Sequence, residues 1–106
     1  MKEVLILIFD DKGNTALHHA AESGNVDVIQ LLLDEGMSVK LTNTYDSTPL
    51  HFSAEFGHLE ATKILVERGA AINNTNKYGD TPLTMAAYRD KLEIVRYLTE
   101  KSVNTG

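Results

Sequence analysis

Apolar residues in this chain come in short blocks separated by polar and turn-forming segments, and the blocks recur at a fixed interval. Thr15, Thr48 and Thr81 are 33 residues apart, and the same step links Leu17, Leu50 and Leu83. It also links Ala21, Ala54 and Ala87, then Leu32, Leu65 and Leu98, and it separates Gly36 from Gly69. Residues 11–43 and 44–76 agree at ten positions, and residues 44–76 and 77–106 agree at nine. The matches fall on small, apolar and turn residues, which are the types that backbone geometry restricts. A constant period of this length is the mark of a stacked repeat.

The middle copy shows the grammar of one unit. Asn43-Thr44-Tyr45-Asp46-Ser47 is a polar turn. Thr48 follows as a good helix N-cap, with Pro49 at the first helical position, where its missing N–H costs nothing. A short helix is predicted through Leu50–Phe56, stopped by Gly57. A second helix starts near Leu59, carries Leu59, Thr62, Leu65 and Val66 on one face, and ends at Gly69. Ala70 to Asn76 then run extended into the next turn. Helices shorter than about 12–15 residues are marginal alone in water. Small residues on the first helix of each unit (Ala20 and Ala21, Ser53 and Ala54, Ala86 and Ala87) allow a neighbour to approach closely, so stacking is the way the apolar faces are buried.

The segments Asn14–Ala21, Ser47–Ala54 and Asp80–Ala87 resemble the T-P-L-H-x-A-A signature of ankyrin repeats. The unit length and the glycine-ended second helices, Leu31–Gly36 and Ile64–Gly69, match that family as well. The resemblance covers residues 10–106 and implies an all-α ankyrin repeat solenoid, in which helix-turn-helix units are linked by β-hairpin-like turns. Its units are residues 10–42, 43–75 and 76–106. The third unit departs from the pattern: Thr84 replaces the His, Asp90 and Ser102 replace the two glycines, and Thr99 stands where Leu33 and Val66 stand earlier. These changes fit a terminal capping unit with a wetter outer face. Asp46 replaces a turn glycine seen as Gly13 and Gly79, which is a mild change because Asp tolerates a left-handed backbone. Residues 1–9 form an apolar arm. Three readings stay open for it: a cap over the first unit, the remnant of a removed repeat, or an edge that pairs between molecules.

Composition narrows the chemistry. The chain carries 10 Lys and Arg against 15 Asp and Glu, for a net charge of −5. Neither nucleic acid nor an anionic membrane surface is an expected partner, since both need a basic face. With no cysteine, disulfides, thiolate metal sites and cysteine nucleophiles are excluded. No stretch approaches the roughly 18 apolar residues of a membrane-spanning helix, and no cleavage site follows Val4–Phe9. A cytoplasmic or nuclear location is the default expectation.

No catalytic, metal or cofactor site is expected. His18 and His51 recur because the unit recurs, and the family resemblance implies that this histidine ties neighbouring loops together. Adjacent His18 and His19 point apart on a helix. Asp10-Asp11-Lys12-Gly13-Asn14 has a faint likeness to a calcium loop but lacks the alternating acids and the distal Glu, and reads as a turn. Asn73-Asn74-Thr75 is a formal glycosylation acceptor that reads as an inter-repeat turn.

The positions left free by the scaffold are the turn tips and the exposed end of each first helix. The resemblance implies that these line one concave, partner-binding surface. The candidate contact residues are Asp11, Lys12, Ser47, Tyr45, Lys77, Tyr78 and Asp80 at the tips, with Asn14 and Thr44 beside them. On the helix ends they are Glu22, Glu55, Phe56, Tyr88 and Arg89, with Ser23 alongside. Tyr45 and Tyr78 are expected to stack, with Phe56 and Tyr88 close by. Aromatic residues and Arg are enriched at interface hot spots. Formal charge grades from −4 over residues 10–42 to −2 over 43–75 and +1 over 76–106. A basic segment near the first unit is therefore the favoured complement. The expected function is non-catalytic binding of another protein by a monomer, with self-association through residues 4–9 as a second state. The alternatives are a piece of a longer ankyrin array (a channel, toxin or adaptor) and an inhibitor that occludes its target.

Overall fold

The computed structural model describes residues 9–105, in six helices. These are α1 (Ala16–Ser23), α2 (Val26–Asp34), α3 (Pro49–Glu55), α4 (Leu59–Glu67), α5 (Pro82–Tyr88) and α6 (Leu92–Thr105). Each pair forms one unit, in the order the repeat predicts. The first helices α1, α3 and α5 stack closely on one another, and α2, α4 and α6 form a looser second row. Most of the apolar arm at residues 1–9, and with it the choice among its three readings, lies outside the described residues. Phe9 is described: it is exposed and forms an isolated antiparallel bridge with Thr15.

Each first helix starts as its sequence predicts. Thr15, Thr48 and Thr81 adopt extended backbone, and their hydroxyls accept from the N–H of the residue three places on. In the first two units that residue is a buried histidine with a second task. The ring Nδ1 of His18 accepts from the Thr15 N–H at 3.1 Å, and Nε2 lies 2.8 Å from the Ser47 carbonyl of the next turn. His51 repeats this with the Thr48 N–H at 3.1 Å and the Asp80 carbonyl at 2.9 Å. A backbone N–H only donates and a carbonyl only accepts, so both rings are neutral with the proton on Nε2. Burial lowers the pKa of both for the same reason, because the charged form loses its hydration. In the third unit Thr84 takes this place and its hydroxyl merely meets that of Thr81 at 3.0 Å.

Stacking explains how burial varies down each column of the repeat. Leu17 and Leu50 are fully buried, whereas Leu83 is partly exposed. Ala21 and Ala54 are fully buried, whereas Ala87 is exposed. In each case the following unit supplies cover that no described residue gives the third unit. On the opposite face Ala61 and Ile94 are 1% exposed, whereas Val28 at the same position of the first unit is 37% exposed. A shallow apolar depression lined by Phe9, Ala16, Ala20 and Val28 marks that face. The core falls into two clusters, one centred on Leu17, Ile29, Leu50 and Leu65 and one on Ala54, Ala86, Ile94 and Leu98, with Val66 packing against both.

On the second helix of the middle unit Thr62 and Leu65 are buried, while Leu59 and Val66 are half-buried. Ser53 and Thr62, deep between the helices, satisfy each other at 2.9 Å.

The departures in the third unit have visible consequences. Gly36 and Gly69, both at φ 102°, end their helices after nine residues. Ser102 does not, and α6 continues for 14 residues. Thr99 is exposed, as a wetter outer face requires, but Tyr88, Leu92 and Val103 leave apolar surface there too. Asp46 and Asp90 adopt left-handed backbone at φ 60° and 59°. The segment from Ala70 to Asn76 is not extended throughout. Ala70 N–H bonds back to the Leu65 carbonyl at 2.9 Å, and a turn follows at residues 72–73.

Gly24 and Gly57 meet two demands at once. Both have positive φ, 73° and 79°, and both lie under a side chain of the following unit. A Cβ on Gly24 would sit 2.5 Å from the His58 ring, and one on Gly57 would sit 2.8 Å from Lys91. Among the described residues no side chain of a further unit lies over Asp90, so that position keeps only the backbone demand. Gly79, at φ 82°, has open space around it. Gly79→Ala is expected to cost about 1 kcal/mol, the left-handed penalty alone. Gly24→Ala is expected to cost about 2–4 kcal/mol, because the His58 ring must also move. Urea unfolding of the two variants measures the difference.

His51→Ala leaves the Thr48 N–H and the Asp80 carbonyl without their partner in a buried site. It is expected to destabilise the chain by about 2–4 kcal/mol. The pH dependence of the wild type follows from the same rings. Below the ordinary histidine value of 6.5, the unfolded chain binds protons that folded His18 and His51 resist. Stability is then full above pH 6.5 and falls as pH drops from there toward the lowered folded values. Unfolding midpoints at pH 7.5, 6 and 5 test this, and the slope between them is expected to shrink in His51→Ala.

Candidate functional site

The turn tips are built by one polar residue per unit. Asp10, Asn43 and Asn76 each use a side-chain oxygen to accept from the backbone N–H groups two and four residues on, at 2.9–3.1 Å. A backbone bond closes each turn from behind, from Asp10 to Asn14, Asn43 to Ser47 and Asn76 to Asp80. Consecutive tips are then tied together. Thr44 N–H donates to the Lys12 carbonyl at 2.9 Å, and Lys77 N–H donates to the Tyr45 carbonyl at 2.8 Å. Asn43 Nδ2 donates to Asn14 Oδ1 at 2.8 Å beneath them. The tips therefore form a continuous ribbon, which sets the spacing of the side chains it carries.

Between this ribbon and the first helices runs an open concave groove of about 840 Å³. Of the residues expected to make contacts, Asp11, Lys12, Glu22, Tyr45, Ser47, Glu55, Phe56, Tyr78 and Asp80 line it. Tyr45 and Tyr78 are stacked, with ring centroids 6.2 Å apart and planes 25° from parallel. Tyr45 is half-buried in this arrangement, while Tyr78 is 68% exposed. Phe56 is exposed and belongs to neither core cluster. Ser47 lies at the floor, buried, with its N–H and carbonyl already engaged by Asn43 and His18. Only its remaining surface faces the groove.

Lys77, Tyr88 and Arg89 do not line the groove. Lys77 and Tyr88 are exposed outside it. Tyr88 is thus not gathered with Tyr45 and Tyr78 as the sequence suggested. Arg89 reaches back one unit to Glu55, with Nη2 at 2.8 Å from Oε2. The Glu55 side chain is only 12% exposed, so Arg89 neutralises a carboxylate set into the groove wall.

Several groove residues escaped the sequence reading. His19, Phe52 and Met85 share one position of the 33-residue unit and all line the groove. Their signal was present, since the three units disagree there within an otherwise regular helix. Phe52 meets the His18 ring edge-on at 5.5 Å, which couples the groove to the buried scaffold. Asp10, Asn43 and Asn76 also line it.

Charge is concentrated at the first-unit end. Asp10, Asp11 and Glu22 lie there beside Lys12, and His19 sits 2.9 Å from Asp10 and 3.9 Å from Glu22. The Asn14 backbone N–H, helped by the Asn14 amide, the Lys12 N–H and His19, holds the Asp10 carboxyl at about 2. It is ionised throughout the neutral range. Because Asp10 accepts from the same two N–H groups as Asn43 and Asn76 do in the later turns, the likeness of this loop to a calcium site is the geometry of a turn.

A family model described as ankyrin repeats (3 copies) matches residues 38–106, and another described as ankyrin repeats (many copies) matches residues 3–50. The chain belongs to the ankyrin repeat family. Members of this family are in general non-catalytic modules for protein–protein interaction. No curated protein matches the chain. No helix among the described residues is long and apolar enough to cross a membrane.

Asn43 holds both the tip that carries Tyr45 and the link to the first unit. Asn43→Ala is expected to lower stability by about 2–3 kcal/mol, because buried N–H groups lose their acceptor. Amide hydrogen exchange checks the cause: Tyr45 and Ser47 are expected to lose protection, while amides in the middle of α4 change only with global stability.

Proposed function

We propose that this chain is an adaptor-like binding module that receives a segment of another protein in the groove between its turn ribbon and its first helices. The observation that carries the reading is the exposure of aromatic side chains on a rigid concave face. Tyr78 and Phe56 are 68% and 41% exposed along a groove whose turn tips are hydrogen-bonded one to the next. Exposed aromatic surface is costly in water and typical of interface hot spots. Because stacking fixes the helices and the tips, little ordering entropy is lost when a partner docks. Tyr45, Phe56 and Tyr78 are the anchors, with Asp11, Lys12, Glu22, Glu55 and Asp80 as the polar surround. Lys77, Tyr88 and Arg89 border the face, and Arg89 serves chiefly to hold Glu55.

The test pairs capture with stability. The wild-type chain and a Tyr45→Ala/Phe56→Ala/Tyr78→Ala variant are used to retrieve binding proteins from a cell lysate, and captured proteins are then titrated by calorimetry. Helical circular dichroism is expected to be unchanged, since none of the three side chains belongs to the buried core. Tyr45→Ala/Tyr78→Ala alone is expected to weaken a partner by about 2–4 kcal/mol. Capture of the same proteins with equal affinity by wild type and triple variant would reject the groove as the binding face.

A further inference from the structure

The groove is chemically polarised along its length, and this deepens the reading just given, on which it rests. Five carboxylates (Asp10, Asp11, Glu22, Glu55 and Asp80) and one lysine, Lys12, line it. Glu55 is already neutralised by Arg89. Asp10 keeps its charge although its oxygens are engaged, because the bonds it accepts come mostly from neutral N–H groups. Asp11 and Glu22 take part in no ion pair with Lys or Arg among the described residues. Three carboxylates, Asp10, Asp11 and Glu22, therefore line the first-unit end of the groove with a single lysine. The other end differs in kind. There Phe52, Phe56, Met85 and Tyr78 line the groove, Asp80 is the one acid besides the Arg89-paired Glu55, and Lys77 is not among the lining residues.

We infer that the groove takes an extended segment of a partner protein bearing clustered Arg or Lys residues at one end and an apolar residue at the other, with the basic end over the first unit. Charge complementarity selects the basic cluster and sets the direction. A reversed segment would bring its cations toward Lys77 and the neutral Glu55–Arg89 pair and leave Asp11 and Glu22 uncompensated. The stacked Tyr45–Tyr78 pair lies between the two regions and offers ring faces or edges to an aliphatic stem or a guanidinium. The His19 ring lies between Asp10 and Glu22, 2.9 Å from the one and 3.9 Å from the other.

The intact chain is challenged with a random peptide library displayed on phage, and enriched peptides are synthesised with a fluorescent label and titrated by anisotropy. Three variants are compared: Asp11→Asn/Glu22→Gln, Asp80→Asn, and Tyr45→Ala/Tyr78→Ala. Asp10 is left alone because it holds its turn together. The Asp11 and Glu22 side chains make no bond that the turn or α1 depends on, so the isosteric pair is expected to unfold at the wild-type temperature. Enriched peptides are expected to carry an Arg or Lys cluster and an apolar residue. Asp11→Asn/Glu22→Gln is expected to weaken them roughly tenfold, mostly in association rate. Asp80→Asn should change them less, and raising salt from 0.05 to 0.5 M should remove much of the difference.

Enrichment of neutral or acidic peptides whose binding is lost in Tyr45→Ala/Tyr78→Ala would overturn the charge inference while leaving the groove as the binding face. Basic peptides equally weakened by Asp80→Asn and by Asp11→Asn/Glu22→Gln would overturn the direction. Peptides insensitive to all three variants would overturn both the inference and the groove. An absence of enrichment over a chain-free control would overturn recognition of a short segment.

Discussion

No unit of this protein can bury its own apolar surface. Each has two helices, of seven to nine residues in the first two units, joined by a sharp turn. The face that α3 shows to α5 has the same pattern that α1 shows to α3. Everything else in the structure serves the contact between successive units. The small residues at positions 20, 53 and 86 let the first helices approach. The His18 and His51 rings each carry one bond within a unit and one to the next. Gly24 and Gly57 remove the Cβ atoms that would hold His58 and Lys91 away.

Because stability resides between units, burial is uneven along the chain in a predictable direction. Val28 is exposed where Ala61 and Ile94 are covered, and Ala87 is exposed where Ala21 and Ala54 are covered. Among the described residues the middle unit alone has a unit packed on each side. The same constraint explains which irregularities are tolerated. Asp90 adopts the left-handed backbone of Gly24 and Gly57 without their crowding, and Ser102 lets α6 run on where a glycine would have turned the chain.

The rigid scaffold also decides what the surface can offer a partner. The tips are fixed by Asp10, Asn43 and Asn76 and by the bonds from one tip to the next, so Tyr45 and Tyr78 are held in register without packing into a core. A groove made this way can vary its side chains without altering its frame. Apart from Asp10, which builds a tip, and Phe52, which packs on His18, its acids, its aromatics and its single lysine are free choices of the sequence.

The scaffold was legible because its requirements are local and periodic. A threonine before a first turn, a proline at its start, a glycine where φ is positive and leucines at helical spacing each follow from short-range geometry, repeated every 33 residues. The helix order could be anticipated on that basis, whereas the ankyrin fold and the bridging role of His18 and His51 were what the family resemblance implied. The groove was legible only in part. Tyr45, Phe56 and Tyr78 stood out as aromatics at positions with no core to fill. His19, Phe52 and Met85 did not, because a residue in the middle of a short first helix reads as helix until the curvature of the stack turns it toward the groove. Likewise the burial of Ser47 and the reach of Arg89 to Glu55 depend on side chains from adjacent units. By itself the sequence determined the repeating unit, since that unit is made of contacts within about one period. Only the tertiary structure decided which variable side chains share a surface, because that depends on the distance and angle between units that the chain separates by 33 residues.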